Sequence, residues 1–277
     1  MKRFIIPTLF AVIALPLAAQ NKPAGANIDL KESRPLDDGS VKITPAPAPA
    51  VNLPATPEVK KIKAKEEPDP TLEILKNLKP EQVEKVRRNV NEASQFVAGI
   101  RLQEALQKLS EAEQIAPNLF MVHNLKGAVY TKMRSFDKAR ECFKRAMELN
   151  PKSFHPRFNL AEIEFVEHHW AKAQQDLEAL LKEEIDEGTR KLIQFKLVIC
   201  FLKQDKIADA EKLAATFSYI DDAPVYYLSK AALEFHKGNK SEAQSWIDSA
   251  NRIYSQQVVS IYIDSFIEVG WVESLAL

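Results

Sequence analysis

The stretch Phe120–Ser153, FMVHNLKGAVYTKMRSFDKARECFKRAMELNPKS, sets the reading of the whole chain. Two apolar patterns of helical period flank a break at Arg134-Ser135-Phe136, which predicts two antiparallel helices joined by a tight turn. Asp137 is placed to cap the second helix. Gly127, Ala139 and Ala146 are small where two helices must approach closely, and Tyr130, Phe136 and Phe143 are large enough to fill the space between them. Pro151 ends the second helix, because a proline drives the residue before it out of the α region.

The same spacing recurs on both sides. With Phe120 as position 1, Gly, Tyr, Phe, Ala, Phe, Ala and Pro stand at positions 8, 11, 17, 20, 24, 27 and 32. Val86–Leu119 repeats the frame with Ala93, Phe96, Leu102, Ala105, Leu109, Ala112 and Pro117. Phe154–Glu187 follows with Ala161, Trp170, Ala173 and Leu177, without the closing proline. After a slip at Gly188-Thr189-Arg190, a unit from Lys191 has Val198, Phe201, Ile207, Ala210 and Ala214, and one from Pro224 has Ala231, Gly238, Ala243, Ile247 and Ala250.

This 34-residue pattern resembles the tetratricopeptide repeat. The resemblance implies an all-α fold: an α-solenoid of about five helix pairs with a capping helix at its C-terminal end. A single pair cannot bury both of its faces, so neighbours must share them. Thr71–Leu78 reads as a short leading helix, and Pro80 as the start of the next. Gln256–Leu277 reads as the closing helix, with Ser265 at position 8 of a sixth frame.

The N-terminal part differs. Met1–Gln20, MKRFIIPTLFAVIALPLAAQ, has two basic residues, a short apolar run and a small-residue end, the pattern of a secretory signal peptide cut near Ala19 or Gln20. The run is short for a membrane span, so an uncleaved anchor is the lesser alternative, and no cysteine follows to accept a lipid. Residues 21–70 carry no hydrophobic period and include TPAPAPAVNLPATP (Thr44–Pro57), which predicts a disordered, semi-stiff spacer. The domain plan is thus 1–20 signal peptide, 21–70 linker and 71–277 repeat domain, in a periplasmic or secreted protein.

Composition agrees with a helical body behind a proline-rich leader: 12 of the 16 prolines precede residue 81, and glycines number only 7. Lys+Arg and Asp+Glu balance at 38 each, so no basic excess points to nucleic acid. Cys142 and Cys200 lie almost two units apart and read as two thiols.

In the resembled family, positions 2, 5, 9, 12 and 13 of the first helix face a concave groove. Carried over, this places Phe158, Phe195 and Leu228 (position 5) and Phe165, Leu202 and Phe235 (position 12) in an apolar ladder on the inner wall, either open to a partner or buried by tight superhelical winding or by the C-terminal helix. Arg87, Ser94, Asn124, Thr131 and Lys132 make the first two units more polar there, suited to a peptide backbone or carboxylate. The clamp of the family's chaperone-tail binders is broken by Val90 and Ser94 in the first unit, or by Asn124 and Ala128 in the second. On the closing helix, Val259, Tyr262, Ile263, Phe266 and Ile267 form an apolar stripe that either packs on the fifth unit or docks a partner or a second copy.

Glu164 and His168 stand one helical turn apart beside His169, but no further ligand spacing completes a metal site. No phosphate loop, nucleophile elbow or dinucleotide fingerprint occurs. The expectation is a non-enzymatic scaffold without cofactor, binding a protein or peptide through its groove; the alternative is a subunit that assembles with itself through the C-terminal stripe.

Overall fold

The computed structural model describes residues 70–221 and 223–273. The expected signal peptide, and the expected spacer up to residue 69, lie outside the described residues.

Among the described residues the secondary structure is helical throughout: α1 (Pro70–Lys76), α2 (Pro80–Ala98), α3 (Leu102–Ile115), α4 (Phe120–Lys132), α5 (Phe136–Leu149), α6 (Phe154–Val166), α7 (Trp170–Leu180), α8 (Glu187–Lys203), α9 (Ile207–Ala214), α10 (Val225–His236), α11 (Lys240–Ile253) and α12 (Gln256–Glu268). From α2 to α11 consecutive helices pack in five pairs, and each pair packs on the next, as a solenoid requires. Pro80 occupies the first turn of α2, where its missing N–H costs nothing.

The small and large positions meet as their sizes demand. Position 20 is alanine in all five units, and Ala105, Ala139, Ala173, Ala210 and Ala243 are all fully buried. Their partners at position 24, from Leu109 and Phe143 to Ile247, are buried as well. Gly127 lies against the Phe143 ring so closely that an added Cβ would stand 2.6 Å from Cδ1.

Every first helix ends in the same turn. The residue at position 15 is left-handed in each unit: Ile100 (φ 58°), Arg134 (56°), His168 (65°), Asp205 (57°) and Gly238 (83°). The next N–H reaches back to the carbonyl of position 11, as in Ser135 to Tyr130 and Asn239 to Glu234, both at 2.9 Å. Together with the bond from position 15 to position 12, as in Arg134 to Thr131 at 2.9 Å, this is a Schellman turn. α12 ends in the same way, with Gly270 at φ 75° and Trp271 N–H on Phe266 at 2.9 Å. Its frame therefore starts at Gln256, two residues earlier than the sequence suggests, and Ile263 rather than Ser265 takes position 8.

One local expectation is corrected. Asp137 does not cap α5: Ser135 is the N-cap residue, no side chain bonds there, and Asp137 projects into solvent. The slip at Gly188-Thr189-Arg190 falls in the first turn of α8 and sets the left-handed turn residues His168 and Asp205 further apart than in the preceding units. Asp186 holds that turn, its Oδ1 accepting from the Thr189 N–H at 2.9 Å and its Oδ2 from the Thr189 hydroxyl at 2.6 Å. Cys142 and Cys200 are both free thiols.

Candidate partner-binding surface

The first helices α4, α6, α8 and α10 carry the residues that the repeat frame places on the inner face. Phe158, Phe165, Phe195, Leu202, Leu228 and Phe235 are all buried, none more than 9% exposed. At Phe195 and Phe235 the ladder is covered by the protein's own α12, which packs on α8, α10 and α11. The Tyr262 and Phe266 rings meet Phe195 edge-on at 5.1 and 5.4 Å, and Phe266 also meets Phe235 at 5.3 Å. Past the helix, Trp271 stacks on Phe235 at 5.7 Å. Val259, Tyr262 and Phe266 are thus the underside of α12, whereas Ile263 and Ile267 are only partly buried. The apolar half of the groove is filled from within the chain.

Beneath α12 lies a polar cluster. Lys196 on α8 and Glu162 on α6, 2% and 3% exposed, pair at 3.1 Å. The Lys196 ammonium also donates to the Ser265 hydroxyl at 3.0 Å and sits 4.6 Å above the Phe165 ring. Burial raises the Glu162 carboxyl against the pull of Lys196, and its second oxygen has no partner. Burial pushes Asp264 up to about 7; Lys196 and Lys132 draw it down, and Glu268 and Glu162 add to the rise. Lys132, at the end of α4, is itself lowered by burial.

The C-terminal end of α12 meets a cationic rim. Arg134 bonds the Glu268 carboxylate at 3.2 Å, and His168 Nε2 donates to the Glu268 carbonyl at 3.0 Å. Lys203 Nζ donates to the Val269 carbonyl at 3.3 Å while lying 4.7 Å over the Trp271 ring. Cations at the carbonyl end of a helix complement its dipole. Arg134 and His168 are the left-handed turn residues of the second and third units, so α12 reaches from the fifth unit back to the second.

The polar residues of the first two units divide differently. Arg87 is exposed and pairs with Glu84 on its own helix. Asn124 Oδ1 accepts from Asn159 at 3.1 Å, and the Ser94 and Thr131 hydroxyls donate to their own helix carbonyls. Lys132 is half-buried beside the α12 cluster instead of lining an open wall. Glu162, which reads in the sequence as part of a solvated face with Glu164 and Glu167, is instead buried, because its inner position 9 turns it toward Lys196. Lys196, Lys203 and Asp264 were given no role by sequence reasoning, although Asp264 on an apolar stripe was an available signal.

Glu164, Glu167 and His169 bring ligand-type atoms within 4.8 Å of one another. The Arg140 guanidinium pairs with both carboxylates, so a cation already stands among them. His168 points away, to Glu268. No described helix is long and apolar enough to cross a membrane.

Comparison with known proteins agrees with this architecture. The tetratricopeptide repeat family model matches residues 121–153. A tetratricopeptide repeat protein from Parabacteroides merdae is 16% identical, with 66% of this chain and 71% of that one covered at a TM-score of 0.52. Pseudomonas aeruginosa pilF is 14% identical, with 69% and 90% covered at 0.51. At such identities these structures show the fold alone. No curated protein matches the sequence. Residues 121–153 thus match the tetratricopeptide repeat, the same spacing and left-handed turn recur in the other four units, and the helix-pair fold is shared with a solved tetratricopeptide repeat protein.

Proposed function

We propose that this protein is an exported, non-catalytic scaffold that binds a protein partner of the cell envelope or exterior along the inner face of its first helices. The observation that carries the reading is the occupancy of that face. α8 and α10 hold an amphipathic helix side-on, with aromatic anchors in an apolar trough and cations at its carbonyl end. Export is supported by the Lys2-Arg3 start, the short apolar run and the small residues before Gln20.

The test places a photo-crosslinking residue at Asn124, on the first-helix face, or at Lys144, on the exposed side of α5. In the native envelope Asn124 is expected to yield a discrete protein adduct and Lys144 none. Equal labelling, or none at either position, would overturn the assignment of the face. Mass spectrometry of the mature N-terminus in the same cells checks export, which demands cleavage near Ala19.

A further inference from the structure

α12 is a poor helix by its own sequence. Val258, Val259, Ile261, Ile263 and Ile267 are β-branched in a helix of 13 residues, and no side chain caps its start. A segment this short is helical because it is docked. It hangs on two residues, Tyr254 and Ser255, and no described element follows it.

The surface it covers is not that of a sealed core. Asp264 and Ser265 are pressed onto the Glu162–Lys196 pair, and one Glu162 oxygen lies buried without a partner. Replacing a buried ion pair by well-packed apolar residues is often neutral or stabilising, so a permanent lid gains little from such a cluster. A removable one does, because the face stays compatible with water when the helix lifts.

We propose that α12 stands in, within the same chain, for the protein's ligand: the trough of α8 and α10 receives an acidic amphipathic helix of a partner, which enters by displacing α12. The α12 contacts define that helix. It has two aromatic side chains four residues apart to fill the space between Phe195 and Phe235. Between them a small or acidic residue faces Lys196, and a carboxylate near the C-terminal end faces Arg134. The proposal rests on the scaffold reading and specifies the site and ligand chemistry. A short tether gives α12 an effective concentration on the order of millimolar. A partner therefore needs additional contacts, which the exposed polar side chains of α2, such as Arg87, Arg88 and Asn91, supply.

The test uses the full chain and a fluorescein-labelled peptide of the sequence Ser255–Glu273. In fluorescence polarisation the peptide is expected to bind the Tyr262→Ala/Phe266→Ala protein at least tenfold more tightly than wild type. A peptide carrying the same two alanines should bind neither. Equal binding to both proteins, including none, overturns the proposal if the variant keeps its helical circular dichroism. If the variant unfolds, hydrogen exchange of the wild type decides. α12 amides opening well before those of α8 and α10 support displacement, and exchange in step with them overturns it. A wild-type dimer lost in the variant would assign α12 to a neighbouring copy and also overturn it. Peptide binding needs no cellular partner, so its failure with Asn124 crosslinking intact removes this site alone and leaves the scaffold reading standing.

Discussion

At position 15 of each unit a single residue carries the backbone through the left-handed region, and only the fifth unit uses glycine there. Ile100 is the least suited, because a β-branched side chain crowds the carbonyl at positive φ. It is also 52% exposed, so little burial is lost with it. Ile100→Gly is expected to stabilise by about 1 kcal/mol, whereas Gly127→Ala, which drives a Cβ into the buried Phe143 ring, should destabilise by about 1–3 kcal/mol. Urea midpoints of the two variants check both signs. The small residues at positions 8 and 20 were legible in the sequence because their size is the message. The left-handed turn was not, since Ile100, Arg134, His168 and Asp205 carry no glycine to announce it.

For α12 as an element, the consequence is a pH dependence. Asp264 has a carboxyl pushed from 3.8 to about 7 by burial, so the docked helix holds a proton that the released helix gives up. The contribution of Asp264 to stability is then greatest at acid pH, falls as pH rises from about 4 to about 7, and levels off above. Glu162, raised by burial, acts with the same sign, while Lys196 and Lys132 face Asp264 and limit the effect. Wild-type protein should melt at a lower temperature at pH 7.5 than at pH 5, and Asp264→Asn should reduce that difference. An unchanged difference would remove Asp264 as its source. The apolar stripe of α12 and the ladder at positions 5 and 12 could each be read from periodicity, and cover by the C-terminal helix stood as an alternative to an open groove, but periodicity could not choose between them. A hydrophobic period identifies a face that must be covered and carries no information about its cover when the contact is as distant in sequence as Phe195 and Tyr262.

Across the whole molecule the buried apolar residues fall into two large groups. One runs from Val86 to Val129, and the other from Phe158 through α12 to Val269; Ala139, Phe143 and Ile163 form a small group of their own. The five-pair plan was legible in advance because stacking repeats the same sizes at the same spacing. The sealing of the C-terminal half was not, because it depends on one non-repeating helix. Cys200 reports on that half: fully enclosed, its thiol is pushed up to about 12 by burial, while Cys142 is half-buried and raised less. With a thiol reagent at pH 8, Cys142 should react slowly and Cys200 only after unfolding. A native Cys200 that keeps pace with Cys142 would mean that the C-terminal core opens readily.

Trp271 adds an optical consequence. Its indole lies flat on Phe235 beneath the Lys203 ammonium, just beyond the last turn of α12. Trp170 and Trp246 belong to helices of the solenoid itself. Lifting α12 transfers one indole from a cation-capped stack into water, so the emission colour of the native protein is a built-in gauge of whether α12 occupies its trough.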